Sequence, residues 1–111
     1  LKGYILTRAG KGLAFERRKA YQYEHLAYNF RDKKAEPFMV TVDYDPSGKE
    51  KPAHSHEGQE FDYVLEGHMK IVLGGNDVYL GPGDSIYYDS AIPHAMYAVD
   101  SDCHFIAVVI K

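Results

Sequence analysis

Four clusters of turn-forming residues punctuate this chain: Ala9-Gly10-Lys11-Gly12, Asp45-Pro46-Ser47-Gly48, Gly74-Gly75-Asn76-Asp77 and Gly81-Pro82-Gly83-Asp84. Between and beyond them lie short runs rich in Val, Ile, Tyr and Phe, the residues that pack well on a pleated surface. Ten such runs can be marked: Leu1–Thr7, Leu13–Arg17, Tyr21–Tyr28, Phe38–Tyr44, Phe61–Glu66, Met69–Leu73, Val78–Leu80, Ser85–Tyr88, His94–Val99 and His104–Ile110. No segment sustains a 3.6-residue apolar period with caps, so the only helix to expect is a single turn around Phe30–Lys34. The chain therefore reads as all-β. A short all-β chain must protect its edge strands, and a jelly-roll barrel does so economically; a sandwich fits the same pattern.

With 111 residues, one core is expected over 1–111. Hydrophobic residues make up 45% and charged residues 26%, a balance expected of a soluble protein, and no apolar run approaches the ~20 residues that a membrane span needs. Cys103 is the only cysteine. It rules out an internal disulfide framework and points to a reducing, cytoplasmic setting with a buried thiol. Charge divides unevenly. Residues 1–20 hold six Lys or Arg against one Glu, giving +5, which leaves 7 − 15 = −8 for the rest and −3 overall. A basic arm on an acidic body packs as a solvated hairpin, or follows a nucleic-acid-binding module.

Chemistry concentrates in Gly48-Lys-Glu-Lys-Pro-Ala-His54-Ser-His56-Glu-Gly-Gln-Glu60. Side chains two apart on a strand share a face, so one short strand can aim His54 and His56 together, and Glu60 regains that face after Glu57-Gly58. His94, further along, can complete the set. Three imidazoles and a carboxylate suit a divalent transition metal such as Fe, Mn, Ni, Co or Zn, with positions left for water or substrate. His25, His68 and His104 lack any such spacing and read as surface or satisfied histidines.

Strand alternation puts Asp62 and Val64 beside Glu60, and Met96 beside His94, as pocket neighbours. Asp62 is placed to orient a ligand histidine or to act as a base. One of Tyr87 and Tyr88 must face inward, where its hydroxyl would meet a polar ligand. The opposite face carries Phe61, Tyr63 and Leu65, and the last run is apolar on both sides. Both features lead to the expectation of a homodimer.

The spacing Gly48-x5-His54-x-His56-x3-Glu60-x6-Gly67 resembles the first motif of the cupin superfamily at every fixed position. The second motif falls on Gly83, Asp89, Ala91, His94 and Ala98, where only Gly83 and His94 agree. Together the two cover residues 48–98. The resemblance implies a barrel with a metal held in its mouth by His54, His56, Glu60 and His94. Residues 21–110 further resemble the C-terminal cupin domain of bacterial helix-turn-helix regulators, through Tyr21-Gln-Tyr-Glu-His-Leu-Ala-Tyr28, Ala35-Glu-Pro-Phe-Met-Val40 and Gly83-Asp-Ser-Ile-Tyr-Tyr-Asp-Ser90. That likeness implies a metal-binding domain for a small-molecule effector, with DNA reached only through a segment outside this chain; the start at Leu1 without Met and the basic arm accord with it. A stand-alone metalloenzyme, an Fe(II)-type oxygenase or an isomerase, is the alternative, and a dimerisation domain with a vestigial site is a third.

Overall fold

The computed structural model describes residues 3–18 and 20–111, the side chains of Arg17 and Arg18 excepted. These residues form seven strands: β1 (Leu13–Arg18), β2 (Tyr21–His25), β3 (Ala35–Val42), β4 (Gln59–Leu73), β5 (Asn76–Leu80), β6 (Ser85–Asp89) and β7 (His94–Ile110). All pairings are antiparallel, in the order β1-β2-β3-β7-β4-β5, with β6 on the first half of β4. The architecture is the all-β jelly roll expected from the sequence.

Two long strands account for most of the difference from ten separate runs. Phe61–Glu66 and Met69–Leu73 are one strand, β4, and His94–Val99 and His104–Ile110 are one strand, β7. Register shifts at Val64/Glu66 and Glu66/His68 interrupt their pairing, and such bulges bend a strand instead of ending it. Gly67 sits at this bend with φ of 80°, and a Cβ there would stand 2.4 Å from the Asp102 carbonyl oxygen. Only glycine allows β7 to pass so close. Residues 3–7 form no strand, and Leu1 and Lys2 lie outside the described residues. The single helical turn expected near Phe30–Lys34 is instead a run of turns, and no helix occurs among the described residues.

Inward positions follow the alternation. Phe38, Val40 and Val42 of β3, Val64, Met69 and Ile71 of β4, and Cys103, Phe105 and Ala107 of β7 are buried together with Tyr21 and Leu80. Val64 and Ile71 lie on opposite sides of the β4 bend yet share this core, so the open sheet folds over on itself. Register carries single rows across three strands: Glu36, Val109 and Glu60, then Phe38, Ala107 and Asp62. Those rows position the site.

Candidate metal centre

The segment from Lys49 to Gly58, which carries His54 and His56, is not the strand expected from the sequence. Only His54 pairs, in an isolated bridge to His94 at the start of β7, with both N to O distances 2.9 Å. His56 is then held by its own N–H, which donates to the Ser90 carbonyl at 3.0 Å. Glu60 arrives from β4 and is buried. Backbone clamps therefore do what strand pleating was expected to do.

His56, Glu60 and His94 converge: one ligand atom from each lies within 4.8 Å of the others. His56 Nε2 is 3.6 Å from Glu60 Oε1, and the His56 and His94 rings stand 5.2 Å apart, nearly perpendicular. The tautomers follow from the neighbours. His94 Nδ1 is 2.8 Å from the Ile92 carbonyl oxygen, and His56 Nδ1 is 3.1 Å from that of Glu57. A carbonyl only accepts, so each Nδ1 carries the hydrogen and each Nε2 presents a lone pair to the cavity. Orientation of ligand imidazoles by such contacts is a recurrent feature of metal sites. Two imidazoles and one carboxylate on one side, with room opposite, form the arrangement typical of non-haem iron and related divalent ions.

His54 lines the same cavity, of about 280 Å³, although the three-residue cluster does not include it. Met96 lines it too. The inward tyrosine is Tyr88, whose ring meets that of His94 edge-on at 5.2 Å. Tyr87 needs correcting: it is 56% exposed on the outer face and donates its hydroxyl hydrogen to Gln59 Oε1, so it does not line this cavity. Val64 is packed in the core rather than on the cavity wall.

Asp62 is also different from expectation. Backbone carbonyls, not Asp62, orient His56 and His94. Its carboxyl is wholly buried beside Glu60 and Tyr88, and burial first, then the Glu60 charge, raises its pKa well above the usual range. Burial likewise raises the Tyr88 phenol, followed by the charges of Asp62 and Glu60. At Asp62, burial and the Glu60 charge both favour the protonated carboxyl over the carboxylate. Asp62 interacts with the Glu60 and Tyr88 side chains, yet neither of its oxygens, nor Tyr88 Oη, nor Ser90 Oγ makes a hydrogen bond of good geometry among the described residues.

The remaining histidines are accounted for. His25 Nδ1 accepts from the Ala27 N–H at 3.0 Å, His104 Nδ1 lies 2.9 Å from Thr41 Oγ1, and His68 is exposed. The sequence reading missed much of the cavity wall, which comes from Tyr21, Tyr23, Glu36, Phe38, Phe105 and Val109. Their signal was the alternation within Tyr21–His25 and Ala35–Val42, which shows which side chains share a face but not what that face looks onto.

A profile of the cupin domain matches residues 40–110, which include every residue of this cluster. The chain belongs to the cupin family. Among curated relatives, this cupin is 28% identical over 113 residues to the dimethylsulfoniopropionate lyase DddQ of Ruegeria pomeroyi, covering 89% of the chain and 55% of the lyase. It is 32% identical over 57 residues to the HTH-type transcriptional regulator PuuR of Escherichia coli, covering 51% of the chain and 31% of the regulator. Among solved structures, hydroxypropylphosphonic acid epoxidase (HppE) from S. wedmorenis superposes with a TM-score of 0.81 at 25% identity, over 97% of this chain and 60% of that one. An HTH_3 family regulator from Vibrio cholerae gives 0.69 at 25% identity, over 83% and 51%. The chain thus spans less than two thirds of each. No helix among the described residues is long and apolar enough to cross a membrane.

Proposed function

We propose that this cupin binds a divalent transition metal through His56, Glu60 and His94, with His54 beside them, and uses it to hold a small oxygen-bearing molecule. One observation carries the reading: two Nδ1-anchored imidazoles and a buried carboxylate converge on one cavity. Such an ion would supply Lewis acidity toward an oxygen of the guest. The chain's own part is to fix the two imidazole tautomers, back His94 with the Tyr88 ring and exclude water with Met96, Phe38 and Phe105. HppE is known in iron(II) and cobalt(II) forms, which favours iron or cobalt in a donor set of this kind.

The role that fits best is that of an effector domain, with residues 1–111 forming one cupin unit whose occupancy is reported to a DNA-binding segment outside this chain. Similarity to PuuR and to the V. cholerae regulator supports it, as do the basic residues of 1–20. A cytoplasmic location accords with the buried thiol of Cys103. The second reading is a metalloenzyme, favoured by the 97% overlap with the epoxidase.

Elemental analysis of protein purified without added metal tests the site. One metal per chain is expected, lost in the His56→Ala/Glu60→Ala double variant, with chelation lowering the wild-type melting temperature. Unchanged metal in the double variant overturns the assignment. Mass spectrometry of bound small molecules, before and after incubation with iron(II), air and reductant, separates the roles: intact ligand supports the sensor, and multiple turnovers support the enzyme.

A further inference from the structure

Glu36, Val109 and Glu60 stand side by side on β3, β7 and β4 and face the same cavity. Two strand spacings separate the carboxylate-bearing backbones, about 10 Å. Glu60 belongs to the metal cluster. Glu36 does not, and the sequence reading gave it no role.

Among the described residues that line the cavity, no Lys or Arg occurs; its carboxylates and imidazoles are Glu36, Glu60 and the three histidines. Glu36 is only weakly compensated. His25 accepts at Nδ1 from the Ala27 N–H, so its neutral tautomer already has an Nε2–H to donate to Glu36 Oε1 at 3.4 Å, and that contact requires no positive charge. Lys111 Nζ lies 4.0 Å from the same oxygen on a side chain that is 59% exposed. A pair of that kind is weak in water and readily exchanged for another cation. Beside Glu36 the wall is aromatic. Tyr23 meets Phe38 edge-on at 5.7 Å and tilts toward Tyr21 at 6.5 Å. Tyr21 already carries one ammonium, since Lys51 Nζ sits 4.4 Å from its ring centre. An oxygen donor is wanted at one end, and at the other a carboxylate stands among aromatic rings suited to a desolvated cation. At about 280 Å³, the space lies at the small end of ligand sites.

We propose that the cavity selects a small zwitterion the size of an amino acid or a betaine, its anionic oxygen at the His56–Glu60–His94 end and its ammonium against Tyr21, Tyr23 and Phe38 beside Glu36. The oxygen end rests on the metal reading above; the cation end does not. A purely anionic ligand would bring a like charge and no cation into the cavity that Glu36 faces, which gives the cavity its discrimination.

Titration calorimetry of the full chain, with and without cobalt(II), tests this with three probes: glycine betaine, 4-aminobutanoate and 3,3-dimethylbutanoate, the uncharged-headgroup isostere of betaine. At least one zwitterion is expected to bind about tenfold tighter than the isostere or better. Glu36→Gln should bring that ratio to within about twofold, and Tyr23→Leu should lower it several-fold with cobalt stoichiometry unchanged. Equal or tighter binding of the isostere, or a ratio untouched by both substitutions, overturns the proposal. Loss of cobalt loading with a Glu36-dependent preference still present would sink the metal assignment alone. Full cobalt loading with no preference for either zwitterion would sink this inference alone.

Discussion

His54 and His94 exchange both backbone hydrogen bonds, each 2.9 Å, and this one bridge ties the segment before β4 to the start of β7. It sets where His56 stands relative to His94 without using either imidazole. The bridge should therefore survive His54→Ala, and the variant reads the side chain alone. We expect His54→Ala to keep one metal per chain with affinity weakened about tenfold or more, whereas His94→Ala loses the metal. Competition against a fluorescent chelator measures both. Equal losses in the two variants would make His54 a ligand on a par with His94.

Gly58 separates two members of the cluster, His56 and Glu60, and has φ of 92°. A Cβ there would stand 2.1 Å from the Ile110 carbonyl oxygen. Gly58→Ala must therefore push β7 away or abandon the turn, and either response moves His56 against Glu60. Strain of this kind costs about 1–3 kcal/mol, or several degrees and more in melting temperature. Thermal melts should show that loss in metal-free protein, and metal affinity should fall with it. Wild-type metal affinity in this variant would mean that the turn does not set the site's geometry.

Burial pushes the Cys103 thiol up to about 11 from 9. Below pH 9 both folded and unfolded chains keep the proton, so the thiol gives stability no slope there. Between pH 9 and 11 the unfolded chain releases it first, and stability falls as pH rises. Urea midpoints should be flatter above pH 9 in Cys103→Ala than in wild type, and the folded wild type should resist alkylation at pH 8.5 until denatured. Rapid labelling of the folded protein would contradict the burial.

The donors of the site were legible because His54, His56 and Glu60 lie within seven residues of each other, and the second motif still marks His94. Alternation along β4 puts Glu60, Asp62 and Val64 on one face, and all three are buried. What spacing along the chain could not reveal was pairing across it. Glu36 faces the same cavity as Glu60 because β7 lies between β3 and β4, a fact of register separated by 24 residues of sequence. Phe61–Glu66 and Met69–Leu73 looked like separate strands because a glycine between apolar runs signals a turn as readily as a bulge. The local pattern around Asp62 suggests a polar task, while its burial depends on how the whole sheet folds over the core.

The outer face provides the last prediction. Tyr87, Phe61, Val108 and Pro37 form one row across β6, β4, β7 and β3, and Ser85, Tyr63, Ile106 and Met39 form the next. Tyr63 and Leu65 remain 39% and 43% exposed, and Tyr87 56%. Nothing among the described residues of β1 or β2 covers these rows, because both strands pair beyond β3 at the far edge of the sheet. A four-strand apolar surface of this kind is buried most simply against its own copy. Sedimentation at micromolar concentration should therefore give about twice the 12.6 kDa chain mass. Tyr63→Glu with Leu65→Glu should return it to one chain, with the cavity still able to load metal. A wild-type mass of one chain would mean that this surface is left for a different partner.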